Sequence, residues 1–224
     1  MDLSHPESAI VVRIDARIYE IFMRSAAPVS GLKMTSLIGD ASYAGVMAAL
    51  NRLLDAGILL MQRDGVSNMY RPNREHVLWP AIAAAVAAAN GAMAELQKRI
   101  SKLLREHLGA AVAHEVTLAV IGPVARHTGG PDSDLDLLGI FPLHLDPDAI
   151  EAYAVTLETR VRRWSGNGCT LKVLDTAQLN DMLTAGDPLL ADWREGAVTF
   201  HGVDLEKRLA KMAREAAKAT PPEA

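Results

Sequence analysis

Aromatic side chains make up only 4% of this 224-residue chain and cysteine occurs once, so two common means of holding a protein together are nearly missing. The single Cys169 excludes an internal disulfide and any zinc site built on cysteines, and nothing argues for an oxidising compartment. With few rings to fill a core and half of the residues hydrophobic, aliphatic and alanine-rich helices must supply it. No apolar run reaches the roughly 20 residues of a membrane span. The longest, Val77 to Ala89, is interrupted by Pro80, and no membrane association is expected. Met1 to Glu7 carries charges and Pro6 in place of an apolar signal core, which makes the cytoplasm the expected location. An excess of one charge is missing too. The net charge of −4 gives no global attraction for nucleic acid, so such contact has to come from a local patch. His76, His114, His144 and His201 are scattered without metal-ligand spacing.

What is present centres on two runs. Val120-Ile121-Gly122-Pro123-Val124-Ala125-Arg126 is followed, after a polar gap, by Ser133-Asp134-Leu135-Asp136-Leu137-Leu138. The flanks read as strands, and the alternation turns Asp134 and Asp136 to one sheet face while Leu135 and Leu137 turn to the other. Two carboxylates side by side repel unless a cation neutralises them, and hard oxygen ligands suit Mg²⁺ carrying a nucleotide's phosphates. The plain alternative is a pair of solvated strand-edge carboxylates.

Before this, the pattern from Arg13 to about Asn73 is three helices and a hairpin. Ile14, Ile18, Ile21 and Phe22 recur at helical spacing, Pro28 to Gly31 breaks the chain, and Met34, Leu37 and Ile38 supply a second helix. Asp40-Ala41-Ser42 offers capping oxygens to a third helix with Val46, Leu50, Leu53 and Leu54 facing inward and Gly57 as its stop. Ile58 to Arg63, the turn Asp64-Gly65 and a return through Met69-Tyr70-Arg71 make a hairpin. Trp79, Ile82, Val86, Ala89, Met93, Leu96, Ile100, Leu103 and His107 then form a heptad stripe, predicting one long helix across Gly91, buried on its own domains or on a second copy. After the carboxylate strand come a helix from Asp146-Pro147 to Ser165, a strand from Cys169 to Leu174, helical segments split at Gly186-Asp187-Pro188, a short strand near Val198, a charged helix from Leu205 to Ala219 and a disordered tail.

The Gly122 to Leu138 runs resemble the signature of nucleotidyltransferases of the DNA polymerase β superfamily. The stretch Ala49 to Ile58 resembles the third helix and first wing strand of winged-helix regulators. Together with Tyr70 to His76, Arg163 to Asn167 and Ala185 to Gly202, the chain resembles bacterial, especially actinobacterial, proteins that join a winged helix to a minimal nucleotidyltransferase domain. The resemblance implies a helix-rich α+β fold: a winged helix-turn-helix over 1–76, a linking helix over 77–109, a nucleotidyltransferase-like domain with a small mixed sheet over 110–204, and a C-terminal helix and tail over 205–224.

It also implies roles. Asp134 and Asp136 would be catalytic and hold Mg²⁺, Gly122, Arg126, Ser133 and Lys172 would line the nucleotide site, and a third acid on the next strand would help activate the acceptor. Pro123 stands where that family has Ser, removing a hydroxyl and a backbone donor, and His127 replaces a Gly. Alternation on Thr170 to Asp175 puts Lys172 in the third-acid place and Asp175 on the wrong face, so Lys172 is expected to salt-bridge Asp134 or Asp136, to stand in for a metal and to leave Mg²⁺–NTP bound poorly. These departures favour a catalytically degenerate domain that senses a nucleotide or serves as a dimer platform. The alternative is an active Mg²⁺-dependent transferase moving NMP to a protein, RNA or small-molecule hydroxyl.

In the first domain Ser42 and Tyr43 would enter the major groove of double-stranded DNA, with Arg63, Asn68 and Arg71 on phosphates. Residues 1–76 carry eight Lys and Arg against eight Asp and Glu. A neutral module binds DNA weakly unless a homodimer doubles its contacts, and a protein-contact role is the competing reading.

Overall fold

The computed structural model describes residues 1–6, 13–25, 27–130 and 132–219 and shows a helix-rich α+β chain. The expected tail, Thr220 to Ala224, lies outside the described residues. The chain divides into two compact units, one of His5–Ala92 and the other of Met93–Ala224 together with Met1–Ser4. No helix among the described residues is long and apolar enough to cross a membrane.

In the first unit α1 (Arg13–Arg24), α2 (Gly31–Ile38) and α3 (Tyr43–Asp55) precede a hairpin of β2 (Leu59–Asp64) and β3 (Ser67–Pro72). Ser30 Oγ accepts from Lys33 N–H at 3.3 Å and Ser42 Oγ from Gly45 N–H at 3.1 Å, so α2 and α3 both start on a hydroxyl cap. The hairpin closes on the pair Asp64–Ser67 around Gly65, whose φ of +58° suits a tight two-residue loop. A two-residue strand β1 (Val29–Ser30), too short to read from the sequence, pairs antiparallel with β3. Ile18, Phe22, Met34, Val46, Leu50, Leu59 and Tyr70 fill the core, each such side chain contributing roughly 1.5–3 kcal/mol on burial.

The predicted single linking helix is instead two, α4 (Trp79–Asn90) and α5 (Ala92–Glu115), interrupted at Gly91. Trp79, Ile82 and Val86 pack into the first core, whereas Met93, Leu96, Ile100 and Leu103 pack into that of the second unit. The heptad stripe is thus covered within the chain, and the reason it gave for a homodimer falls away. A further break inside α5 comes at Gly109, with φ +79° and ψ 156°.

The second unit builds a sheet in the order β6-β5-β4-β7 from β4 (Thr117–Ile121), β5 (Leu135–Phe141), β6 (Cys169–Asp175) and β7 (Val198–His201). β5 and β6 are parallel and joined by α7 (Pro147–Ser165); the other pairs are antiparallel. One sheet face turns Leu135, Leu137 and Phe141 against Tyr153, Leu157 and Val161 of α7. The other turns Leu138, Ile140 and Leu174 against Leu179 of α8 (Thr176–Ala185), Leu190 and Trp193 of α9 (Pro188–Gly196), and Leu205 and Leu209 of α10 (Leu205–Ala219). Asp136 shares the second face, one pleat before this cover begins. The N-terminal residues complete the unit: Leu3 is in its core, and buried Asn167 donates from Nδ2 to Met1 O at 2.8 Å and to Ser133 O at 3.0 Å.

Candidate functional site

Asp134 and Asp136 leave the start of β5 on one face, each facing a glycine. A Cβ on Gly122, whose φ is +71°, would stand 2.9 Å from Asp136 Oδ2, and one on Gly168 would overlap Asp134 Oδ1. Both glycines make room for a carboxylate. The sequence marked Gly122 but took Gly168 as part of a helix stop, a task that Gly166 performs with φ +80° at the C-cap of α7. Burial raises the Asp136 carboxyl above its ordinary range, and the Asp134 charge raises it further.

At acid pH both folded and unfolded chains hold the Asp136 proton and the residue contributes nothing. As pH rises through the ordinary carboxylate range the unfolded chain loses it first, so the folded state is penalised. Asp136→Asn is therefore expected to be more stable than the parent at neutral pH, with the difference closing on acidification. Denaturant midpoints across pH check it, and a variant less stable than the parent at neutral pH refutes it.

The other predicted residues divide. Ser133 stays beside the pair, its Oγ accepting from Gly130 N–H at 2.8 Å and its carbonyl held by Asn167. Arg126 leans on Gly196 and its Nη1 meets Asp192 at 3.4 Å. Pro123 closes the loop with its carbonyl, which accepts from Thr128 N–H at 2.9 Å and Gly129 N–H at 3.1 Å. His127 has φ +55°, a left-handed conformation that glycine adopts more readily than other residues. Lys172 is the clear correction. It shares the face of Asp136 as alternation requires, but its Nζ stands over the Trp193 ring, 5.6 Å from the centroid, and among the described residues it forms no ion pair with either carboxylate.

The strand register accounts for the position of Lys172. β5 and β6 pair without a shift from Leu135–Cys169 to Phe141–Asp175, so Thr170, not Lys172, stands level with Asp136. Lys172 is opposite Leu138, exposed and directed to Trp193 of α9. Asp175 caps α8 through Gln178 N–H at 2.7 Å. Cys169 turns to the buried face, where burial pushes its thiol up to about 12, so it is an inert core residue. Among the described residues no cluster of three or more His, Cys, Asp or Glu is placed to hold a metal ion.

In the first unit Ser42 is spent on its cap, and Tyr43, 54% exposed, lines a cleft of about 300 Å³ with Leu32, Val66 and Asn68. Arg63 is paired with Asn68 and shares its hairpin face. Arg71, paired with Leu60, lies on the opposite face, so the expected phosphate contacts do not form one row. The exposed start of α3 offers Tyr43, Ala44 and Ala48 without a cation, and Arg52 further along is bound to Asp15.

No protein-family model matches the sequence, and no curated protein matches it. Among solved structures the chain is similar to a mutant of the toxin–antitoxin MntA–HpeT, at 15% identity over 55% of this chain and 87% of that one, with a TM-score of 0.37. It is also similar to TrmBL2, an archaeal chromatin protein, at 15% identity over 96% of this chain and 94% of that one, with a TM-score of 0.26.

Proposed function

We propose that this chain is a DNA-binding regulator whose second unit holds a Mg²⁺-bound nucleotide without transferring it efficiently. The observation that carries the reading is the unshifted β5–β6 register, which sets Thr170 where a third carboxylate would be needed. Two acids remain, and Mg²⁺ is commonly held by one or two carboxylates with phosphate oxygens completing its shell. The donors fit one such ion. Asp136, desolvated and repelled by Asp134, is a group that a cation would relieve. When bound, Mg²⁺ would neutralise phosphate charge; Asp134 and Asp136 would orient it, with Gly122 and Gly168 leaving the approach open.

Because Lys172 does not occupy the pair, the expectation of poor Mg²⁺–NTP binding is withdrawn, and ligand should raise the melting temperature. The same observation favours a second reading, a working NMP transferase. Labelled NTPs with Mg²⁺ separate the two: retention of label without a covalent product supports the sensor, and stoichiometric labelling of a protein, RNA or small-molecule hydroxyl supports the enzyme. Failure to bind any Mg²⁺–NTP refutes both.

The DNA half of the proposal is supported by the exposed start of α3 beside a hairpin that presents Arg63 and Asn68 on one face. Nonspecific affinity follows phosphate neutralisation. Arg63→Ala is expected to weaken duplex binding and lower the salt slope by about one, whereas Arg71→Ala, on the other face, should leave both nearly unchanged. Anisotropy titrations over a salt series measure it. Equal binding by Arg63→Ala and the parent would move the unit to protein contact, a role compatible with the uncharged start of α3. Pairing of two copies would offset the neutral charge of the unit.

A further inference from the structure

We propose that a second cleft of the first unit is a binding site for a small phosphorylated molecule. It lies at the base of the hairpin, has a volume of about 350 Å³, and is lined by Leu60, Arg71, Pro72, Asn73, Arg74 and Glu75. That volume is at the small end of ligand pockets and matches a compact phosphate ester.

Two arginines line one concavity, and neither is engaged in an ion pair among the described residues. Arg71 and Arg74 are exposed, and among the described residues Glu75 forms no ion pair either. Guanidinium is the side chain best shaped to grip phosphate through paired N–H donors. Glu75 leaves one net positive charge in the cleft, which disfavours a long polyanion and supplies an acceptor for a ligand hydroxyl. Half-buried Leu60 gives an apolar surface for the body of the ester, with buried Pro72 beside it.

The cleft is held ready by its backbone. Asn73 N–H donates to Ile58 O at 2.9 Å, Asn73 Nδ2 donates to Gly57 O at 2.9 Å, and His76 N–H donates to Asn73 O at 3.1 Å. The turn bearing Arg74 is therefore pinned to the residues that end α3, which reduces the ordering that binding requires. The site is also separate from the DNA face. Arg71 pairs with Leu60 on the side of the hairpin opposite to Arg63 and Asn68, so a duplex lying against those residues does not engage both sets. This geometry selects a free phosphorylated molecule over a nucleic-acid backbone.

The test uses the full chain in EDTA, which silences any Mg²⁺-dependent binding in the second unit, and titrates inorganic pyrophosphate and AMP by calorimetry. The parent is expected to bind both, and the Arg71→Ala/Arg74→Ala double variant to bind at least about tenfold more weakly. Arg71→Lys/Arg74→Lys should fall between them, since an ammonium keeps the charge and loses the paired donors. Circular dichroism melts establish that each variant is folded; the lysine pair serves as the readout if the alanine pair is not. No binding by the parent, equal binding by the variants, or a loss of the same size from Lys172→Ala would overturn the proposal. So would a double variant that keeps its pyrophosphate affinity and loses affinity for a short DNA duplex, which would assign the arginines to nucleic acid.

Discussion

Gly202→Ala is expected to cost the second unit at least about 3 kcal/mol, enough to leave much of it unfolded at modest denaturant. Gly202 links β7 to α10 with φ +74°, and a Cβ there would collide with the Val116 carbonyl and stand 3.2 Å from Thr117 Cα. Both obstacles are backbone, so no rotamer change relieves them. The positive φ alone costs an alanine roughly 1–2 kcal/mol. The remainder comes from pushing β7 off the buried end of β4, where Thr117 Oγ1 donates to Val203 O at 2.9 Å and Leu205 N–H donates to Thr199 Oγ1 at 3.0 Å. Those bonds seat α10, whose Leu205 and Leu209 close the core over Leu138 and Ile140. Gly186→Ala is the internal control. Gly186 also has positive φ, +65°, but nothing within 4 Å meets its Cβ, so only the conformational cost of about 1–2 kcal/mol applies. Urea titrations followed by tryptophan fluorescence compare them, and equal costs for the two variants would refute the packing argument.

Local signals in the sequence reached a long way. Ser42 and Asp146-Pro147 each predicted the start of a helix where a side-chain oxygen now caps one, because a cap is decided within four residues, and the break expected at Gly186-Asp187-Pro188 is where Asp187 caps α9. The alternation around Asp134 and Asp136 fixed their face for the same reason. What escaped depends on partners distant in the chain. Alternation states which side Lys172 leaves the sheet but not where a four-carbon stem ends, and its neighbour Trp193 arrives on α9, after a separate helix. The level of Thr170 against Asp136 is set by how α7 carries the chain between two parallel strands, which no spacing in either strand displays. The heptad stripe was real as a pattern, yet two cores divide it, and hydrophobic period alone does not name the surface that covers it.

Adding a third acid beside Asp134 and Asp136 gives the largest expected functional change. Thr170 is exposed, similar in size to Asp, and paired directly with Asp136, so Thr170→Asp puts a third carboxylate on the same face one strand away, about 4.8 Å in backbone spacing. Pro123→Ser adds a hydroxyl and a backbone N–H to the exposed first turn of α6 (Gly122–Ala125). Without a cation, three carboxylates repel one another, so the double variant should be less stable than the parent in EDTA and should regain stability on adding Mg²⁺. That reversal is a signature a merely damaged site would not give. With Mg²⁺–NTP and an acceptor hydroxyl, the added acid can take the hydroxyl proton as the oxygen bonds the α-phosphorus and pyrophosphate leaves. General-base help of this kind is worth about 10²–10⁴-fold, so transfer should rise by at least 10²-fold over the parent. A parent that already transfers as fast as the variant would mean that Asp134 and Asp136 suffice without a third acid, and the enzyme reading would then replace the sensor.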